Sequence, residues 1–213
     1  HCSRLISSPV GKTLPVITPL LLHFFISQAV IMVFGTYCDA TALTAITAGM
    51  VIPPAVMIYH REIKKYQDRG KNKVKGRELI LIAVLGVAAS QALTWFLNVI
   101  GVTQYFSNET QEALFAGNIF VQILGAGIFA PIAEEIIFRG LTYQRMKRMA
   151  GMGWAMILSS ALFAVYHGNP IQMMYTFPLA LLLCVVYEKC GSIKGPIVLH
   201  MAANLVAVAI NDL

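Results

Sequence analysis

Residues Pro131 to Gly140 read PIAEEIIFRG. Two carboxylates, Glu134 and Glu135, stand side by side, and Arg139 follows four residues after the second, in a stretch otherwise as apolar as a membrane span. Ionisable groups in such a run are costly in hydrocarbon and are usually paired or face a cavity, where they serve a site. Glu135 and Arg139 have the i,i+4 spacing of a helical ion pair, with the acid in the favourable N-terminal position. Glu134 lies about 100° further around a helix, so an arginine that neutralises Glu135 leaves Glu134 to face something else. The plain alternative is that the run ends near Ala133, with both acids and Arg139 snorkelling to the interface.

Two later segments carry matching polar pairs. Phe163-Ala-Val-Tyr-His167 and His200-Met-Ala-Ala-Asn204 each place two residues four apart on one helical face. His23 is a further ionisable group inside an apolar run. Taken singly, a histidine or asparagine in a span is ordinary bundle packing, hydrogen-bonded to a neighbouring helix. Together, Glu134, His167, His200 and Asn204 are the groups that amide hydrolysis requires. A carboxylate assisted by an imidazole takes a proton from water, while a second imidazole and a carboxamide donate hydrogen bonds to the developing oxyanion. Glu134, His167 and His200 are equally suited to hold Zn²⁺ with one position open for water. No HExxH is present, so the usual pair of zinc-binding histidines on one helical face is missing. The residue types leave metal-assisted and metal-free chemistry open.

The elements that must position these groups are membrane helices. Of the 213 residues, 57% are hydrophobic and 12% charged, against about 25% charged in an average soluble domain. A bilayer core of about 30 Å requires ~20 apolar residues in a helix, the form expected because an open strand edge in lipid leaves backbone groups unsatisfied. Apolar runs fall at 14–37, 40–60, 79–100, 113–138, 153–167, 171–187 and 195–210, the fifth and sixth on the short side. The expected fold is therefore an all-α polytopic bundle of about seven spans around an intramembrane polar cavity. Pro53-Pro54, Pro131 and Pro178 mark kink sites within the runs. If the fourth and fifth spans form a hairpin turning at Gly151 and Gly153, Glu134 and His167 lie at nearly the same depth, since they stand seventeen and sixteen residues from Gly151. The basic, amphipathic LTYQRMKRMAG suggests that the fifth helix starts outside the bilayer.

The net charge of +6 does not imply nucleic acid, because eight of the sixteen Lys and Arg residues lie between Arg61 and Arg77, in one hydrophilic gap beside spans. All sixteen fall in the gaps 1–13, 61–78, 139–152 and 188–194, and none in the alternate gaps. The positive-inside rule then puts the N-terminus and the basic loops in the cytoplasm and the C-terminus outside. Cys2, Cys38, Cys184 and Cys190 have no metal-binding or redox spacing. The chain opens on His1, as a processed or truncated end would, and its first apolar run is long enough to span and lacks a cleavage pattern, so no signal peptide is expected.

The ordered set Glu134-Glu135-Ile-Ile-Phe-Arg139, Phe163-Ala-Val-Tyr-His167 and His200-Met-Ala-Ala-Asn204 resembles the EExxxR, FxxxH and HxxxN motifs of the CAAX protease and bacteriocin-processing (CPBP, or Abi) intramembrane proteases, over about residues 113–210. The resemblance implies a bundle enclosing a cavity open to water and to the cytoplasmic leaflet. It implies that Glu134 and His167 activate water, that His200 and Asn204 stabilise the oxyanion, and that Glu135, Arg139 and Phe163 shape the site from behind. Both a zinc mechanism and a metal-free mechanism have been put forward for the family. Its eukaryotic branch removes the C-terminal tripeptide of prenylated proteins, and its prokaryotic branch is linked to bacteriocin maturation or self-immunity.

The reading is then an intramembrane endopeptidase acting on a peptide or lipidated peptide. Residues 1–112 supply N-terminal spans and the basic loop without a family motif, residues 113–213 form the catalytic core, and both belong to one integrated domain. Membrane lipid is the other expected partner, nucleic acid is not one, and the sequence sets no oligomeric state. Short loops suggest a multi-pass protein of a prokaryotic plasma membrane. The rival classes are a non-catalytic scaffold or self-immunity protein of the same fold, and a proton or solute transporter, for which inverted repeats are lacking.

Overall fold

The computed structural model describes residues 9–66, 74–102, 105 and 109–211. Cys2, the two chain ends whose sidedness the charges assign, and Arg69, Lys71 and Lys73 of the basic gap lie outside the described residues. Among the described residues there is no strand. Eight helices follow one another: α1 (Pro9–Phe34), α2 (Ala40–Tyr66), α3 (Gly76–Val99), α4 (Glu109–Phe115), α5 (Ile119–Ala150), α6 (Met152–Tyr166), α7 (Pro170–Cys190) and α8 (Lys194–Asn211). Five of them, α1 from Leu14, α2, α3, α5 and α7, are long and apolar enough to cross a membrane. The chain is an all-α membrane bundle.

Two of the expected spans change in length. The sixth apolar run forms a helix of 21 residues, α7, and is not short. Pro170 at its start has no N–H to waste, and the Asn169 side chain accepts from the Ile171 and Gln172 amides, so the helix begins three residues after His167. The fourth run does not end near residue 138. Its first residues split off as the seven-residue α4, and α5 continues for 32 residues to Ala150. No glycine at positive φ or proline interrupts it between Pro131 and Gly151, whose φ of 80° is the first to break the helix. Residues 141–150 therefore finish α5 and do not begin α6. The turn is made by Gly151 alone, since Gly153 is already helical.

The basic segments meet at one end of the bundle. Arg145 and Arg148 near the end of α5 each pair with Glu62 near the end of α2, at 2.8 and 2.7 Å. Arg145 also donates to Thr18 Oγ1 and to the Pro15 carbonyl at the start of α1. Lys147 pairs with Glu188 at the end of α7 at 2.7 Å, and Glu188 accepts from Tyr143. A small pocket between Tyr59, Glu62, Gly140 and Arg148 lies at this end.

Small residues set how closely the helices approach, as packing in lipid requires. A Cβ on Gly86 of α3 would stand 2.3 Å from the Leu199 carbonyl oxygen of α8, so these two backbones are in direct contact. Four residues along α3, the buried Ser90 donates to the Ala203 carbonyl of α8 and accepts from Tyr175 of α7. Gly125 of α5 lies against Ala45 of α2 in the same way. The opposite face of α3, with Ile80, Leu81, Val84 and Trp95, is exposed on the outside of the bundle.

The helix α5 is not uniform. Residues Ile123–Phe129 and Ile136–Tyr143 are π-helical, and the α-helical piece Ala130–Glu135 lies between them. Such wide turns are rare and frequently mark functional sites. Pro131 stands where the first π-helical segment gives way to the α-helical piece.

Candidate active site

The α-helical piece of α5 carries Glu134 and Glu135 at its end, on adjacent faces. Glu135 is fully buried, and its Oε1 accepts from Arg139 Nη1 at 2.8 Å. The same oxygen accepts from His200 Nδ1 of α8, also at 2.8 Å. The Arg139 guanidinium lies 4.4 Å from the centre of the Phe163 ring on α6 and donates to the Ala180 carbonyl of α7 at 3.3 Å. This arginine thus ties α5 to α6 and α7 from a fully buried position, and the expectation of a frayed, solvated span end is overturned.

Glu134 faces differently. Its side chain keeps 18% of its surface, and its Oε2 lies 3.7 Å from Nε2 of His200. That separation is too long for a direct hydrogen bond. The two groups therefore face each other across a gap that a third polar atom can share. Because the Glu135 carboxylate only accepts, His200 Nδ1 must donate, and Nε2 is the nitrogen presented to Glu134.

Phe163 is the hub that brings α6 to the site. Its buried ring packs edge-to-face on Phe138 at 4.8 Å, on His167 at 4.8 Å and on His200 at 5.8 Å between centroids. Phe163 lies against Phe138 and Arg139, so in the antiparallel pairing of α6 with α5 the register carries His167, one turn further, toward the turn that holds the carboxylates. His167 Nδ1 donates to the Phe163 carbonyl at 2.8 Å, which fixes the tautomer and leaves Nε2 as the basic nitrogen. Gly168, at φ 68°, turns the chain immediately after it.

Asn204, one turn beyond His200, donates from Nδ2 to the Ala126 carbonyl of the first π-helical segment at 2.9 Å. One of its two amide hydrogens is thus used between helices, and the other is not. The structure brings Glu134, Glu135, Arg139, Phe163 and His200 into one cluster, with His167 stacked on its edge.

Sequence reasoning did not single out Tyr166. Its hydroxyl is hydrogen-bonded to Nδ1 of His23 on α1, with the two rings edge-to-face at 5.1 Å and 88°. A tyrosine directly before the motif histidine was the available signal, but its partner is 143 residues away in sequence.

The zinc alternative can be set against this geometry. His200 Nδ1 donates to Glu135, as the imidazole of a zinc ligand commonly donates to a carboxylate, and its Nε2 faces Glu134, while among the described residues no group of three His, Cys, Asp or Glu side chains is drawn together at ligand distances. The donor set therefore leaves metal-assisted and metal-free chemistry both open.

A bundle of membrane helices enclosing a carboxylate, two imidazoles and a buried arginine has the build of an intramembrane hydrolase. Residues 116–206 match the family model described as Type II CAAX prenyl endopeptidase Rce1-like, in agreement with the resemblance carried by the three motifs. The match supports a peptidase embedded in the membrane. No curated protein and no solved structure shows a significant match.

Proposed function

We propose that the protein is an intramembrane endopeptidase that hydrolyses a peptide bond with water activated by Glu134 and His167. The observation that carries this reading is the gap between Glu134 and His200, in which a partly exposed carboxylate confronts an imidazole anchored from behind by the Glu135–Arg139 pair. Glu134 takes a proton from water, with His167 Nε2 holding the same water. The hydroxide attacks the peptide carbonyl carbon, and the carbonyl electron pair moves onto oxygen. His200, protonated at Nε2, and the second amide hydrogen of Asn204 donate to that oxyanion. Glu134 then delivers its proton to the departing amine as the C–N bond breaks.

In this reading Glu135 orients His200 through the Nδ1 hydrogen bond, and Arg139 holds Glu135 in place. Residues 1–112 join the same folding unit, because α2 and α3 pack on α5 and α8. Glu134 lies eleven residues before Arg145, so the site is at most ~16 Å below the basic end. By the charge rule that end is cytoplasmic, and the substrate is a peptide or lipidated peptide reaching in from that leaflet.

The test is cleavage of an internally quenched, farnesylated CAAX-type peptide by the detergent-solubilised protein. Glu134→Gln and His167→Ala should each lower kcat by roughly 10²- to 10⁴-fold, the usual range for general acid–base catalysis. Full activity of Glu134→Gln overturns the assignment. A cellular phenotype that survives Glu134→Ala with His167→Ala identifies a scaffold or self-immunity protein instead. Treatment with 1,10-phenanthroline should leave the rate within twofold of the untreated enzyme.

A further inference from the structure

Glu134 and Phe138 are four residues apart on α5, and so lie on the same side of that helix. Tyr166 packs on Phe138, with ring centroids 5.6 Å apart, which sets its hydroxyl-bearing ring over the face of α5 that carries Glu134. The hydroxyl is taken by His23 Nδ1, and His23 comes from α1, outside the segment that matches the family model. The His23–Tyr166 pair of α1 and α6 thus stands on the side of α5 that carries Glu134, whose Oε2 lies 3.7 Å from His200 of α8.

A hydrogen-bonded tyrosine and histidine between two helices could be mere adhesive, but their placement argues for more. Tyr166 immediately precedes His167, so whatever fixes the Tyr166 ring also fixes the last turn of α6 from which His167 projects. Among the described residues the Tyr166 hydroxyl is hydrogen-bonded to the imidazole of α1, and its ring packs on Phe138 and the apolar cluster around Phe163.

We infer that His23 and Tyr166 are positioning residues of the hydrolytic site: the His23–Tyr166 hydrogen bond locks the end of α6 and the polar wall beside Glu134. The inference rests on the peptidase reading and adds α1 to the machinery. Neither residue exchanges a proton with substrate, and their effect is on the geometry of Glu134 and His167.

The experiment uses the full-length protein in detergent with the same quenched farnesylated peptide. Tyr166→Phe and His23→Ala should each lower kcat by roughly 10- to 100-fold with KM within about threefold, the size expected for a misplaced catalytic group. The double variant should be no slower than the worse single variant, because the two residues act through one bond. His23→Asn, which keeps an amide group near the Nδ1 position, should recover at least part of the lost rate. Melting temperatures of all four variants are measured alongside. Equal kcat in Tyr166→Phe, His23→Ala and wild type overturns the inference while leaving the peptidase reading intact, provided Glu134→Gln is inactive. Additive losses that follow the melting temperatures, without rescue by His23→Asn, also overturn it. An active Glu134→Gln variant fails the underlying reading, and with it this one.

Discussion

Glu135 uses a single oxygen for both Arg139 and His200, and its buried Oε2 has no hydrogen-bond partner among the described residues. A buried carboxylate in that position is defined by its cations. Replacing it leaves Arg139 buried without a counter-charge, and breaking such a pair costs about 3–5 kcal/mol. Glu135→Ala should therefore lower the melting temperature in detergent strongly and abolish peptidase activity. Arg139→Lys keeps the charge but loses the flat guanidinium that lies on Phe163 while reaching both Glu135 and the Ala180 carbonyl. It should lose most activity, and an active, thermally unchanged Arg139→Lys would show that the bridging geometry is dispensable. The i,i+4 spacing made the Glu135–Arg139 pair legible in the sequence. The third member, His200, was not assignable to Glu135 in advance. It is 65 residues away, and local spacing says nothing of which helix face another helix approaches.

Among the elements, α3 and α8 hold the most exacting contact. Leu199, whose carbonyl touches Gly86, directly precedes His200, so the spacing of these helices sets the distance from His200 to Glu134. A methyl group at Gly86 meets backbone, which cannot swing aside. Gly86→Ala should cost about 1–3 kcal/mol by overpacking and reduce kcat as His200 moves. Gly127→Ala is the control, since its added Cβ meets the Leu205 side chain at Cδ2 and Cγ, which can rotate away, and its nearest backbone atom, the Gln122 carbonyl oxygen, lies at an ordinary 3.7 Å. Comparable losses in both variants, read by melting temperature and kcat, would contradict the backbone-contact argument. The helices themselves were readable from apolar runs, but their ends were less so. The apolar run stops at Arg139, where charge reads as water, whereas Arg139 is buried by its partners and α5 continues to Ala150.

The whole molecule gathers its basic segments at one end through the Glu62 and Glu188 pairs. That much agrees with the alternating charge pattern of the sequence, and the assignment of this end to the cytoplasm is the part that needs a membrane to test. Single cysteines at positions 149 and 192, in a background lacking the native cysteines, should be modified by an impermeant maleimide only after the membrane is opened. A cysteine at position 37 should react in intact cells. Labelling of 149 and 37 from the same side would contradict the arrangement. The encounter of α1 with the site was illegible in the sequence because residues 1–112 carry no motif, and only the folded bundle brings His23 to Tyr166.

The two π-helical segments bear on how the gene can vary. A wide turn holds an extra residue relative to an α-helix, so a one-residue deletion within 123–129 can be absorbed by tightening into regular helix. The chain would still fold as a span, and the residues after the deletion would keep their bearing relative to those before it, whereas the same deletion within the α-helical piece 130–135 would rotate them by about 100°. Only the latter deletion would change the bearings of Glu134 and Glu135 toward His200. In a library of single-codon deletions, activity should survive losses within 123–129 more often than losses within 130–135, a contrast that a plain membrane anchor would not show.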